Sequence, residues 1–102
     1  MIIEYIRYDL ASHQPEEFIS AYTIAADALR AAPECRAFEL SQCEEAPRSF
    51  ILRIEWQSTQ DHLEKFRKGP NFPTFLAAIK PFIGEIAEMR HYSMTPVAWR
   101  RP

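Results

Sequence analysis

Alternation dominates the first ten residues: Ile2, Ile6, Tyr8 and Leu10 fall on one face and Ile3, Tyr5, Arg7 and Asp9 on the other. That is the period-two pattern of a β-strand, and apolar side chains on both faces imply that both are at least partly covered. Pro15 followed by Glu16 and Glu17 then opens a helix, since proline suits the first turn and acids suit the positive end of the helix dipole. Phe18, Tyr22, Ala25, Ala26 and Leu29 form its apolar stripe, and the chain leaves the helix around 31–33, before and at Pro33. Residues 36–43 predict a second strand around Phe38 and Leu40, and 44–48 a polar turn. Residues 50–56 predict a third strand, with Phe50, Leu52, Ile54 and Trp56 on one face and Ile51, Arg53 and Glu55 on the other.

Ser58 with Asp61 three residues on resembles a capping box and starts a short helix, with Leu63 and Phe66 expected inward. Gly69-Pro70 stops it. Asn71 is placed to cap the next helix, whose buried positions are Phe72, Phe75, Leu76 and Ile79, and Pro81 bends or ends it. A last strand over 85–94 sets Met89, His91 and Ser93 on one side and Arg90, Tyr92 and Met94 on the other. The order β-α-β-β-α-α-β predicts an α+β, ferredoxin-like split βαβ fold with a four-stranded antiparallel sheet and helices on one face. One domain spans 1–94, and 95–102 forms an extended C-terminal tail. Because the strands stay apolar on their second face, a second copy is the expected cover, making the protein a homodimer.

Composition narrows the function classes. The 102 residues fit one domain, and the formal net charge of −2 comes with scattered cations, so no basic stripe exists to track nucleic acid. No apolar run is long enough for a membrane span, and the N-terminus begins directly as a strand, so the expected location is cytoplasmic. Cys35 and Cys43 sit too far apart along one extended segment for a disulfide and are expected as free thiols. With 2 glycines, no Gly-rich dinucleotide turn and no metal ligands at local spacing, neither cofactor nor metal is expected.

Several segments together resemble the antibiotic biosynthesis monooxygenase family: Met1-Ile2-Ile3, Pro15-Glu16-Glu17-Phe18, Phe38-Glu39-Leu40, Glu55-Trp56-Gln57-Ser58, Asn71-Phe72-Pro73-Thr74-Phe75 and Met89-Arg90-His91-Tyr92. The resemblance implies a dimeric α+β barrel. It also implies cofactor-independent oxidation of a quinol or polycyclic phenol by molecular oxygen. Deprotonating a phenol gives a delocalised anion able to pass one electron to oxygen, so the protein need only orient the ring, desolvate it and stabilise the anion. By the same resemblance Trp56 lines the pocket. Lys65 stands where the family often carries a histidine, with His62 about one turn earlier. Tyr5, Ile6 and Arg7 occupy the region where haem-degrading relatives carry an asparagine, so haem cleavage is disfavoured.

The candidate catalytic residues are His62, His91 and Tyr5, and the candidate substrate-binding residues are Trp56, Phe66, Phe72, Phe75, Tyr22 and Tyr92. Each has a plainer role. Trp56 and the phenylalanines can be core, His62 a solvated surface residue, His91 a hydrogen-bonded structural histidine, and the tyrosines partners of the backbone. Arg7 and Arg53 fall mid-strand among apolar residues, which suggests pairing with carboxylates such as Glu39 or Glu55 or, as the alternative, phenolate stabilisation in a pocket; pairing is the expectation. The rival function is a non-catalytic dimeric barrel that binds a small hydrophobic ligand in a stress or sensing role. An acid-base group facing a cavity beneath Trp56 separates the two.

Overall fold

The N-terminal alternation becomes β1 (Ile2–Asp9), an inner strand of a four-stranded sheet, in a computed structural model that describes residues 1–102. The chain continues through α1 (Pro15–Ala31), β2 (Cys35–Gln42), β3 (Ser49–Trp56), a π-helical turn (Asp61–Phe66), α2 (Phe72–Ile79), a 3-10 turn (Lys80–Glu85) and β4 (Ile86–Ser93). The strand order is β2-β3-β1-β4 and every pairing is antiparallel. This is the ferredoxin-like α+β arrangement that the element order predicts.

Pairing register decides which residues share a face. Glu4 lies opposite Ile54 on β3 and His91 on β4, while Ile6 lies opposite Leu52 and Met89. These residues, with Tyr8, Phe50 and Trp56, face the helices. α1 starts at a reciprocal cap between Gln14 and Glu17, with Pro15 in its first turn, and buries Phe18, Tyr22, Ala25, Ala28 and Leu29. Phe75 and Ile79 of α2 and Phe82 of the 3-10 turn complete the same core. Each such aromatic or aliphatic side chain, fully buried, contributes roughly 1.5–3 kcal/mol of transfer free energy.

The opposite face of the sheet is half covered. Tyr5 and Tyr92 meet edge to face there at 5.5 Å between ring centroids, and Ile51 is partly exposed. Arg53 joins Glu55 at 2.7 Å and Glu39 at 3.4 Å, the pairing its mid-strand position predicts, whereas Arg7 takes Asp9 at 2.7 Å instead. Cys35 and Cys43 are free thiols. Residues 95–102 have no regular structure, and Trp99 is exposed beneath the Arg101 guanidinium.

Two local expectations are corrected. Leu63 points outward and His62 inward, because both positions satisfy a helical spacing to Phe66 and only His62 has a ring face and a polar partner waiting for it. Asn71 occupies the residue before α2 without a side-chain cap bond; only its carbonyl accepts, from the Phe75 amide.

Candidate functional site

Between the sheet and the short helical segments lies a cavity of about 330 Å³, at the low end of the roughly 300–1,000 Å³ usual for small-molecule sites. Of its 15 lining residues 12 are hydrophobic, and the three that remain are Glu4, His62 and Arg67. The cavity exists because a single wide turn and the short α2 cover this end of the sheet, leaving ring-sized space that a long helix would fill. The π-helical hydrogen bond from the Arg67 amide to the His62 carbonyl, 3.1 Å, fixes that wide turn.

Trp56 closes β3 with its indole fully buried, and its Nε1–H donates to Glu4 Oε1 at 3.0 Å. The His62 ring stacks on that indole, 4.7 Å between centroids at an interplanar angle of 14°. His62 Nε2 lies 3.4 Å from Glu4 Oε1, and its Nδ1 shares a 2.7 Å hydrogen bond with His91 Nε2. When Nδ1–H donates to His91, Nε2 is left as an acceptor facing the carboxyl. Exposure rises outward along this line: 2% for the Glu4 side chain, 4% for His62 and 26% for His91.

Burial pushes Glu4 up from the ordinary carboxylate value to about 7, against the opposing pull of the Trp56 N–H and the Arg67 charge. Burial, with Arg67 and His91, drives His62 down to about 3. His91 is lowered too, by burial and then Arg67. Near neutrality the line therefore holds a half-ionised acid beside two uncharged imidazoles, a set suited to accepting and relaying a proton.

Glu4, His62 and His91 also offer atoms within 4.8 Å of one another, a spacing a divalent ion could use. As placed, the two imidazoles form a hydrogen-bonded pair beside the carboxyl, and no buried side-chain nitrogen or oxygen is left without a partner.

The sequence candidates divide by face and by depth. His62, Trp56, Phe66, Phe72 and Phe75 line the cavity, and His91 stands behind His62. Tyr5 and Tyr92 lie across the sheet, on the other face. Tyr22 is in the core, hydrogen-bonded through its hydroxyl to Tyr8. The residues missed by sequence reasoning are Glu4 and Arg67. Glu4 had a usable signal: it is the one acid on the inward series Ile2, Glu4, Ile6, Tyr8.

The chain is thus a two-layer α+β domain of ferredoxin-like fold that carries an aromatic cavity and a buried acid-imidazole line. The family model for antibiotic biosynthesis monooxygenases matches residues 1–78, and the chain belongs to that family. It is 26% identical over 77 residues to the uncharacterized Bacillus subtilis (strain 168) protein YczJ, covering 76% of this chain and 81% of that one. Its fold is similar to a variant of SnoaB, a cofactor-independent oxygenase from Streptomyces nogalater, with a TM-score of 0.76 at 16% identity over 95% of this chain and 97% of that one. A conserved protein from Methanosarcina mazei Go1 gives a TM-score of 0.75 at 14% identity, with 92% of each chain covered. No helix is long and apolar enough to cross a membrane.

Proposed function

We propose that the protein is a cofactor-independent monooxygenase that oxidises a quinol or polycyclic phenol with molecular oxygen. The observation that carries this reading is the placement of Glu4 and His62, with Trp56 packed behind them, in the wall of a mainly apolar cavity whose one other non-hydrophobic residue is Arg67. Family membership and the likeness to a cofactor-independent oxygenase support it.

In this reading the phenol lies flat between the phenylalanines and gives its proton to Glu4. His62 and His91 pass the proton toward solvent. The remaining phenolate is electron-rich, desolvated and unable to recover the proton from water, so it transfers an electron to oxygen. For a phenol, radical recombination at a free para carbon and loss of water give the quinone (phenol and O2 yield quinone and H2O); for a quinol, recombination at a free ring carbon beside the oxygen gives the hydroxyquinone and H2O, in both cases with no external reductant. Trp56 acts by holding Glu4 and the His62 ring in place, since its indole is wholly buried behind them.

The test mixes chelator-treated protein anaerobically with alpha-naphthol, admits isotopically labelled O2 and follows quinone formation and label incorporation. Label must enter the quinone faster than in buffer. A rate equal to buffer, unaltered by Glu4→Gln, favours instead a barrel that only binds its ligand. Homodimerisation through the half-covered sheet face, with Tyr5, Ile51 and Tyr92, belongs to the same proposal. A solution mass of one chain by light scattering rejects that part.

A further inference from the structure

Resting on the aromatic-cavity reading, we propose that Arg67 makes the site selective for phenols bound as phenolates, with the ligand oxyanion against its guanidinium. The cavity wall holds one cation, and that cation is Arg67. Its guanidinium reaches from the end of the π-helical turn across to β4, with Nη2 4.0 Å from the sulfur of Met89, another wall residue.

Neighbouring cations are already engaged. Lys65 pairs with Asp61 at 3.1 Å, Lys68 with Glu64 at 2.8 Å and Arg90 with Glu88 at 3.6 Å. Arg67 takes part in no ion pair. Its charge nevertheless reaches the polar end of the cavity, where it favours the ionised form of Glu4 and the neutral forms of His62 and His91.

An apolar cavity by itself resists an anion, since desolvation disfavours the charged form of any phenol placed in it. A guanidinium at the wall reverses that preference. It is always charged and offers several donors in one plane to an oxyanion. Moving the phenol proton to Glu4 then separates no new charge from the site as a whole: the carboxylate becomes neutral and the negative charge appears on the ring oxygen beside Arg67. Catechol-like or naphthol-like ligands therefore fit, and their methyl ethers lose the discriminating contact.

Two probes of matched shape test this, para-nitrophenol and its methyl ether, para-nitroanisole. Binding is followed by calorimetry, and ionisation of the bound phenol by the visible band of its phenolate across pH. The groups facing the probe are Glu4, His62 and Tyr8, with His91 behind them, so the titration is repeated in Glu4→Gln to remove the carboxyl from the same pH range. Bound para-nitrophenol is expected to ionise about one pH unit below the free phenol, a preference of roughly tenfold for the anion. Arg67→Gln abolishes that shift, Arg67→Lys keeps part of it, and para-nitroanisole binds all three proteins alike. Because Arg67 is exposed, its substitution leaves the fold in place. A phenolate shift that survives Arg67→Gln overturns the inference while leaving the oxygenase reading standing. Failure of both probes to bind the unaltered protein overturns the aromatic-cavity reading, and this inference with it.

Discussion

Tyr8 and Glu4 are four residues apart on β1, point to the same side of the sheet and are both buried, yet they live in different materials. Around Tyr8, whose ring also reaches the cavity wall, the side under α1 is closely packed. Its hydroxyl bonds that of Tyr22, and Phe18 and Phe50 close over the pair, with Phe18 also touching Phe82. Burial raises Tyr8 to about 12, so this polar pair stays neutral at any physiological pH. Around Glu4 there is open space on one side and a chain of titrating groups on the other. The same strand thus carries a structural hydroxyl and a poised acid. What separates them is the cover: seventeen residues of regular α1 over one end, one wide turn over the other.

Substituting Phe18 by alanine should have the largest effect, a loss of about 3–5 kcal/mol in chemical denaturation, because four aromatic neighbours lose their partner. Affinity for a ligand in the cavity should hold in the folded fraction; if it collapses in parallel, the two ends are not independent.

Glu4→Gln should do the reverse. Quinone formation falls by about a hundredfold or more, the contribution of a positioned base, while the denaturation midpoint stays or rises, because a buried titrating group has been replaced by a neutral one. A protein that loses stability but keeps its rate would show Glu4 to be merely structural.

Tyr22→Phe sharpens the contrast from the other side. It strands the Tyr8 hydroxyl without its partner at a cost of about 1–3 kcal/mol, with no change in turnover.

The finest effect lies in stability against pH. Glu4 titrates near 7 when folded and at 4.5 when free, so the folded state holds the extra proton and stability falls as pH rises between those values. His62 is lowered from 6.5 to about 3, so the unfolded state holds the extra proton and stability rises over that interval. The two slopes oppose each other between 4.5 and 6.5, and the unaltered protein should be nearly flat there. Glu4→Gln leaves only the rising contributions of His62 and His91, and His62→Asn leaves the falling contribution of Glu4 opposed by His91 alone, each group giving a slope up to about 1.4 kcal/mol per pH unit. Parallel profiles for both variants would break the assignment. By contrast Glu85 works only as an anchor: burial opposes its ionisation, but the Ser12 and Ala11 amides and His13 together hold it down at about 2.

Local patterns carried the scaffold. Strict alternation set the faces of β1 and β3, so Trp56 was legible as an inward indole, whereas Tyr5, offered as a catalytic candidate, lies on the opposite face. Pro15 with the acids after it marked the start of α1. These features follow from backbone geometry, which repeats every two residues in a strand and every 3.6 in a helix and so is written into neighbouring positions. The choice between His62 and Leu63 was not written there, because both lie one helical turn from Phe66. Glu4, His62 and His91 come together from β1, the π-helical turn and β4. Only the pairing of β1 with both β3 and β4, together with the packing of a wide turn over Trp56, brings the acid and the two imidazoles within reach. Sequence by itself determined which side chains face inward along each strand; tertiary packing decided which of them meet, because contact between distant segments depends on register and cover that no local period encodes.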